Sequence, residues 1–334
     1  DLSVLHQMSR DVMKAEHHLY KPRDAVRWVD GSGGGGRGTV GQNPPFGAVI
    51  HYVLPEGLDE EDADEVTLEI LNEGGEVIRS LSSTEPEPRA PSPWRRMFPE
   101  LFDPPLLDAR AGANRYVWNL AHHDAELVDD AVLWGFPGGP RVPPGTYQAR
   151  LSVGEWTETV SFDVVQDPRT EISQDDFEAQ YALATEIWQA ISRSHATIKR
   201  IRSIRSQVRE LAKGTADEAV EAKADEIAEA LTAIEEMLTQ TKSESSQDVL
   251  NFPPQIDNQL VYLQGIVGST LGAPLPSSQR RFDELAAEID QHVASVDSVV
   301  ETQLAEFEGL LDELDRPRVV VDSGSDVTNG GPNS

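Results

Sequence analysis

The chain has 334 residues, with 58 acidic and 28 basic side chains, a formal net charge of -30 and no cysteine. A field of that sign repels phosphate backbones, so nucleic acid is excluded as a partner class, and the missing thiols exclude disulfides, cysteine nucleophiles and cysteine-ligated zinc. The length predicts two or three domains, and no run of about eighteen apolar residues exists to span a membrane.

Residues 1 to 30 are polar and carry no sustained period. Leu19, Tyr20, Val26 and Trp28 are their main apolar groups, too few and too irregular to make a core of their own. The segment is therefore expected to order only against the surface of another domain. Gly31 to Pro45 reads as a flexible linker. Its Gly33–Gly38 run lacks the Lys-Ser/Thr ending of a phosphate loop, and neither a strand before it nor a helix after it is in evidence.

From Phe46 onward the period is two. Ala48, Ile50, Tyr52 and Leu54 alternate with Val49, His51 and Val53, and Val66, Leu68 and Ile70 repeat the pattern. Gly74-Gly75 turns the chain toward Val77 and Leu81. Tyr116, Trp118 and Leu120 follow, then Tyr147, Ala149, Leu151 and Val153, a turn at Gly154-Glu155, and Val160, Phe162 and Val164. Short alternating strands between glycine and proline turns predict an Ig-like antiparallel β-sandwich over residues 46–168. The proline-rich stretch Ser82 to Pro105 reads as a surface loop.

After Asp167-Pro168-Arg169 the period becomes helical. Ser173 with Asp176 gives a capping pattern, and Phe177, Tyr181, Ala184, Trp188, Ile191, His195 and Ile198 recur at spacings of four and three until Gly214. Thr215 with Glu218 is the predicted cap of a second helix, striped by Val220, Ala224, Ile227, Leu231, Ile234 and Leu238. A shorter helix carries Ile256, Leu260, Leu263 and Val267, and the last runs from about Ser278 to Leu314 on Phe282, Leu285, Ile289, Val296, Leu304, Phe307 and Leu314. Four stripes with short connections predict an elongated antiparallel helical bundle over residues 169–316. Residues 317–334 read as a disordered tail.

The densest set of ligand-type groups is His122-His123-Asp124, with Glu126. Adjacent histidines on extended backbone point to opposite faces, so His122 and Asp124 are weak metal candidates and a polar loop is the better reading. Asp59, Asp62 and Asp64 lie in an acidic loop that could offer oxygens to calcium, but the spacing of an EF-hand is missing. Trp94 and Trp134, both in loops, are the candidate ligand-stacking aromatics, whereas Trp118 and Trp188 sit on core stripes. His195, on an apolar stripe, reads as a boundary residue with one hydrogen-bond partner. Lys199, Arg200, Arg202, Arg205 and Arg209 are expected to face Asp217, Glu218, Glu221, Asp225 and Glu229 of the next helix. No catalytic residue and no cofactor are assigned.

Five stretches carry a family resemblance: HLYKPRDAVRW (18–28), GQNPPFGAVIHYVL (41–54), RYVWNLAHHDAE (115–126), GPRVPPGTYQARLSVG (139–154) and NFPPQIDNQLVYLQG (251–265). Together they resemble the C-terminal region of large exported bacterial proteins with sortilin-like or BNR-type β-propellers, often labelled glycosyl hydrolase. PGTYQARLSVG also resembles the closing hairpin of the Ig-like domain of flagellar hook-capping proteins. The resemblance implies an extracellular or periplasmic location and a propeller of the same parent protein as partner, with a cell-surface protein or glycan as a further one. No Asp-box of such a propeller occurs in this chain, so no functional residue is carried over.

The function expected on these grounds is a non-catalytic accessory module at the end of a secreted propeller protein. The alternatives are a supporting domain of a glycan-degrading hydrolase and a helical assembly that pairs its stripes between chains.

Overall fold

A computed structural model of the protein describes residues 2–28, 44–56, 58, 64–85 and 105–321. The fold is mixed, with two β-sheets followed by several helices. The strands are β1 (His18–Leu19), β2 (Ala25–Arg27), β3 (Ala48–Leu54), β4 (Val66–Leu71), β5 (Val77–Ser82), β6 (Gly112–Trp118), β7 (Gly145–Val153) and β8 (Trp156–Gln166). One sheet is antiparallel in the order β1-β3-β6, and the other has the order β2-β8-β7-β4-β5.

The alternating apolar positions are the inward ones. Ile50 and Tyr52 of the first sheet meet Leu68, Ile70, Leu151 and Phe162 of the second in one apolar core around Trp118. Each such side chain contributes about 1.5–3 kcal/mol by leaving water. Val77, at the start of β5, is 42% exposed, while Ile78 and Leu81 are buried.

Residues 18–27 correct the expectation that the N-terminal segment has no core to join. Leu19 pairs with Tyr52 on the edge of the first sheet, and β2 adds to the second sheet parallel to β8, which makes that sheet mixed. Leu19, Tyr20 and Ala25 are buried. The pairing was hidden because the partners lie far along the chain: Ala25 faces Val164.

The helices are α1 (Ser3–Gln7), α2 (Gln174–Lys213), α3 (Glu218–Leu238), α4 (Ile256–Gly268), α5 (Pro276–Val299) and α6 (Ala305–Glu313). Ser173 caps α2 by accepting from the Asp176 N–H, as the sequence indicates, but α3 is capped by Asp217 rather than Thr215. At about 1.5 Å per residue, the 40 residues of α2 reach roughly 60 Å. α2 packs on α3, α4 and α5, burying Ile187, Ile191, Ile198, Ile201 and Val208.

The last predicted helix is interrupted by a π-helical turn at Val300–Leu304. Its buried residues explain why: Val296, Val299, Leu304, Phe307 and Leu311 are spaced 3, 5, 3 and 4 apart. A regular helix would turn the group after the five-residue step away from the core. The wider π turn absorbs the extra residue and keeps both halves facing inward. Beyond α6, Val319 is buried and Gln207 brackets the Val320 backbone with two hydrogen bonds of 2.9 Å, so the chain end assigned to a tail is packed as far as residue 321.

Candidate functional site

Between β6 and β7 the chain makes an excursion, residues 119–144, that joins no sheet beyond one bridge between Ala121 and Arg141. At its base the two halves run against each other, His122 N–H to the Pro140 carbonyl and Ala125 N–H to that of Pro137. They approach so closely that a Cβ on Gly139 would lie 2.3 Å from the His123 oxygen, so only glycine fits there. Beyond this base the arm leaves the sheets and lies on the helices, where Ala125, Val128 and Ala131 enter the helical core.

An arm without a ladder must satisfy its backbone by other means. Side chains of α2 and α4 do so. Glu126 N–H donates to Ser192 Oγ, and Val128 N–H to His195 Nδ1. Asn258 accepts from the Trp134 N–H and donates to the Trp134 carbonyl, both at 3.0 Å, and Gln264 donates to the Gly138 carbonyl. Gly135, at φ +115°, turns the chain at the tip. The result is a fixed tip with an apolar exterior: Trp134 is 44% and Phe136 71% exposed. Tyr262 and Ile266 are exposed on α4, the helix that supplies Asn258.

The metal candidates are used by the arm itself. His122 Nε2 meets Tyr181 Oη at 2.6 Å, its carbonyl accepts from Arg79, and burial beside His123 and Arg79 pulls its pKa down to about 4. His123 packs edge-on against Trp188, whose ring His122 also meets, and the Asp124 carboxylate accepts from the Gly139 N–H. Among the described residues no three His, Asp or Glu side chains converge as a metal site. Asp59, Asp62 and Trp94 lie outside the described residues, and the Asp64 carboxylate sits against the Gly154 turn.

His195 departs from the sequence reading in position though not in partner number. It is fully buried, not at a boundary, and its Nδ1 accepts the Val128 N–H, which leaves the proton on Nε2. That nitrogen lies 3.9 Å from Asp257 Oδ2, and neither atom has a hydrogen-bond partner. Burial drives both groups toward neutrality, His195 down to about 3 and Asp257 up to about 7. The approach is therefore a neutral imidazole beside a carboxyl, not an ion pair. Asp257 is steadied by the Thr239 hydroxyl and the Asn258 N–H.

The basic stripe of α2 does not face the acids that the sequence suggested. Lys199 pairs with Glu126, Arg200 with Asp297, Arg202 with Asp130 and Glu235, and Arg205 with Glu235. Glu218, Glu221, Asp225 and Glu229 are exposed on α3, because Val220, Ala224, Ile227 and Leu231 claim its inner face. Beside the arm, α2 and α3 flank a half-open polar cavity of about 750 Å³ whose wall includes Val128 and Thr239, the partners of His195 and Asp257.

No helix among the described residues is long and apolar enough to cross a membrane. No family model, curated protein or solved structure matches the chain.

Proposed function

We propose that the chain is a non-catalytic interaction module, built as an Ig-like β-sandwich followed by a helical bundle, from the C-terminal end of a secreted bacterial propeller protein. The Ig-like reading is supported by Tyr147, whose hydroxyl donates to the Pro143 carbonyl four residues back, the tyrosine-corner arrangement of that fold. The interaction reading rests on one observation above all. A buried Asn258 fixes both backbone groups of Trp134 while the indole stays 44% exposed beside Phe136. An aromatic pair held rigid in solvent loses little entropy on binding, which is what a recognition surface needs. The partner proposed for it is the propeller of the parent protein, with a cell-surface glycan as the second.

The test is a titration of the chain with the separately produced propeller and with an array of oligosaccharides, beside a Trp134→Ala, Phe136→Ala double variant. Binding of either that weakens at least about tenfold in the variant, equivalent to about 1.4 kcal/mol, supports the proposal. Binding unchanged in the variant, binding of neither probe, or turnover of a glycan by the isolated chain would overturn it.

A further inference from the structure

The polar cavity between α2, α3 and the arm carries more cations than the surrounding fold pairs. Four cations line it, Arg202, Arg205, Arg209 and Lys213, at spacings of 3, 4 and 4 that put them along one face of α2. Glu235, 3% exposed, holds two of them: Arg202 Nε and Arg205 Nη1 each reach one of its oxygens at 2.6 Å. Arg202 also meets Asp130, and Arg205 donates to Thr232 Oγ1. Glu235 and Asp130 are thereby accounted for, and the two guanidinium groups are locked in place.

One turn further on, Arg209 and Lys213 have no ion pair or hydrogen bond among the described residues. The C-terminal end of the α2 dipole accounts for one cation in the last turn, Lys213, and not for four in a row. The carboxylates on the wall are Asp130, Glu210 and Glu235, so cations outnumber them by four to three inside a chain of net charge -30. Thr241 and Ser243 also line the cavity. Unused cations in a concave site attract and orient an anion more strongly than cations on a convex surface do.

We propose that this cavity is an anion site for a tetrahedral oxyanion, phosphate or sulfate, free or as the ester of a small molecule, with Arg209 and Lys213 as its charged ligands. About 750 Å³ is room for such a group together with a sugar-sized body. Arg202 and Arg205 act as positioning residues, because Glu235 already occupies their inner donors. The site is separate from the Trp134 tip, so either can fail without the other.

The experiment uses the full chain and heteronuclear NMR titration with sodium phosphate, sodium sulfate and sodium citrate, ionic strength held constant with sodium chloride. Shifts confined to residues 205–213 and 239–243, saturating with phosphate or sulfate, are the expected result. The Arg209→Gln, Lys213→Gln double variant should weaken binding at least about tenfold while losing only the small stability that Lys213 gives the end of α2, since both side chains are solvent-exposed. Should that variant fold poorly, Ser243→Ala supplies the second reading, with a smaller loss at the same site. Comparing phosphate with sulfate identifies which oxyanion is preferred. Binding of citrate alone, shifts spread over the surface, or binding equal in both variants and the parent would overturn the proposal.

Discussion

The sheet core and the helical core handle polar groups in opposite ways. Inside the two sheets almost everything buried is apolar, and the polar exceptions, Arg27, Asn114 and Asp167, lie at strand ends and edges or within the strands nearest the helices. The helices bury Gln180, Ser192, Ser194, His195, Thr197, Glu235, Asp257, Asn258 and Gln264. For Ser192, His195, Asn258 and Gln264 the reason is backbone accounting. Strands satisfy one another through their ladders, so their side chains are free to be apolar. The arm brings an unpaired backbone onto α2 and α4, and those helices must supply side-chain donors and acceptors for it. The same logic holds at the other contact between the regions. There Gln180 accepts from buried Arg27 of β2 and donates to the carbonyls of Val267 and Thr270.

The largest expected effect therefore belongs to the apolar side of the comparison. Trp118 is fully buried, packs against Tyr147 and Phe162, and its Nε1 donates to the Ala121 carbonyl at the base of the arm. Trp118→Ala should cost about 3–5 kcal/mol in urea unfolding, from lost contacts and the cavity left behind. A loss under about 1 kcal/mol would mean that the sheet core collapses around the gap and is less rigid than its burial suggests.

How much of this was legible in the sequence follows the same division. The strands of β3, β4, β7 and β8 could be read because one buried face forces a strict alternation, and α2 because its stripe continues through Val208. β2 could not, since three residues make no period and their parallel partner lies far along the chain. The arm carries no period either. Its trace in the sequence is indirect: a histidine on an apolar stripe at position 195, and Asn258 and Gln264 on a short helix, polar groups with no reason to be inside unless something needs them. The ion pairs of α2 were misread because sequence gives charge but not azimuth. The π turn was not read, because the five-residue step from Val299 to Leu304 passed as part of one helical stripe.

The buried pair under the arm offers a second, sharper test through pH. The pKa of His195 falls from 6.5 to about 3, so the unfolded chain binds the extra proton between those values and this group makes stability rise with pH there. The pKa of Asp257 climbs from 3.8 to about 7, so the folded chain holds the extra proton and its contribution is lost as pH rises through that window. The two slopes oppose each other between about pH 4 and 6.5, and their sum is nearly flat. Asp257→Asn removes one of them. Relative to the parent, the variant should gain stability with rising pH, on the order of 1 kcal/mol per pH unit over that range. Parallel urea midpoints for the two proteins from pH 4 to 7 would show that Asp257 titrates normally, and that water reaches the pair.

A smaller loss is expected where the helix serves the arm directly. Asn258→Ala leaves the Trp134 N–H and carbonyl without their partner, at a cost of about 1–3 kcal/mol. The informative reading is local. Amide exchange should quicken across residues 126–138 and stay unchanged in β7 and β8. Asn258→Asp, which keeps the acceptor but sets a buried carboxylate against the Trp134 carbonyl and beside Asp257, should protect the arm no better than alanine does. Uniform exchange in all three proteins would show that the arm is held by Val128 and Ala131 alone.

The smallest effect is electrostatic and lies where neither core has a stake. Glu221, Asp225 and Glu229 follow one another at four-residue intervals along the exposed face of α3, and none has an ion-pair partner among the described residues. Like charges at that spacing repel by a few tenths of a kcal/mol per pair, within a molecule already at -30. Asp225→Lys turns two repulsions into two attractions, and lysine is also the better helix former. The variant should gain about 0.5–1 kcal/mol at low salt. Because these charges are solvent-exposed, molar sodium chloride should erase most of the gain while raising the stability of the parent chain toward it. A gain that survives high salt would have to come from helix propensity instead, and a loss at low salt would place an unseen cationic neighbour beside Asp225.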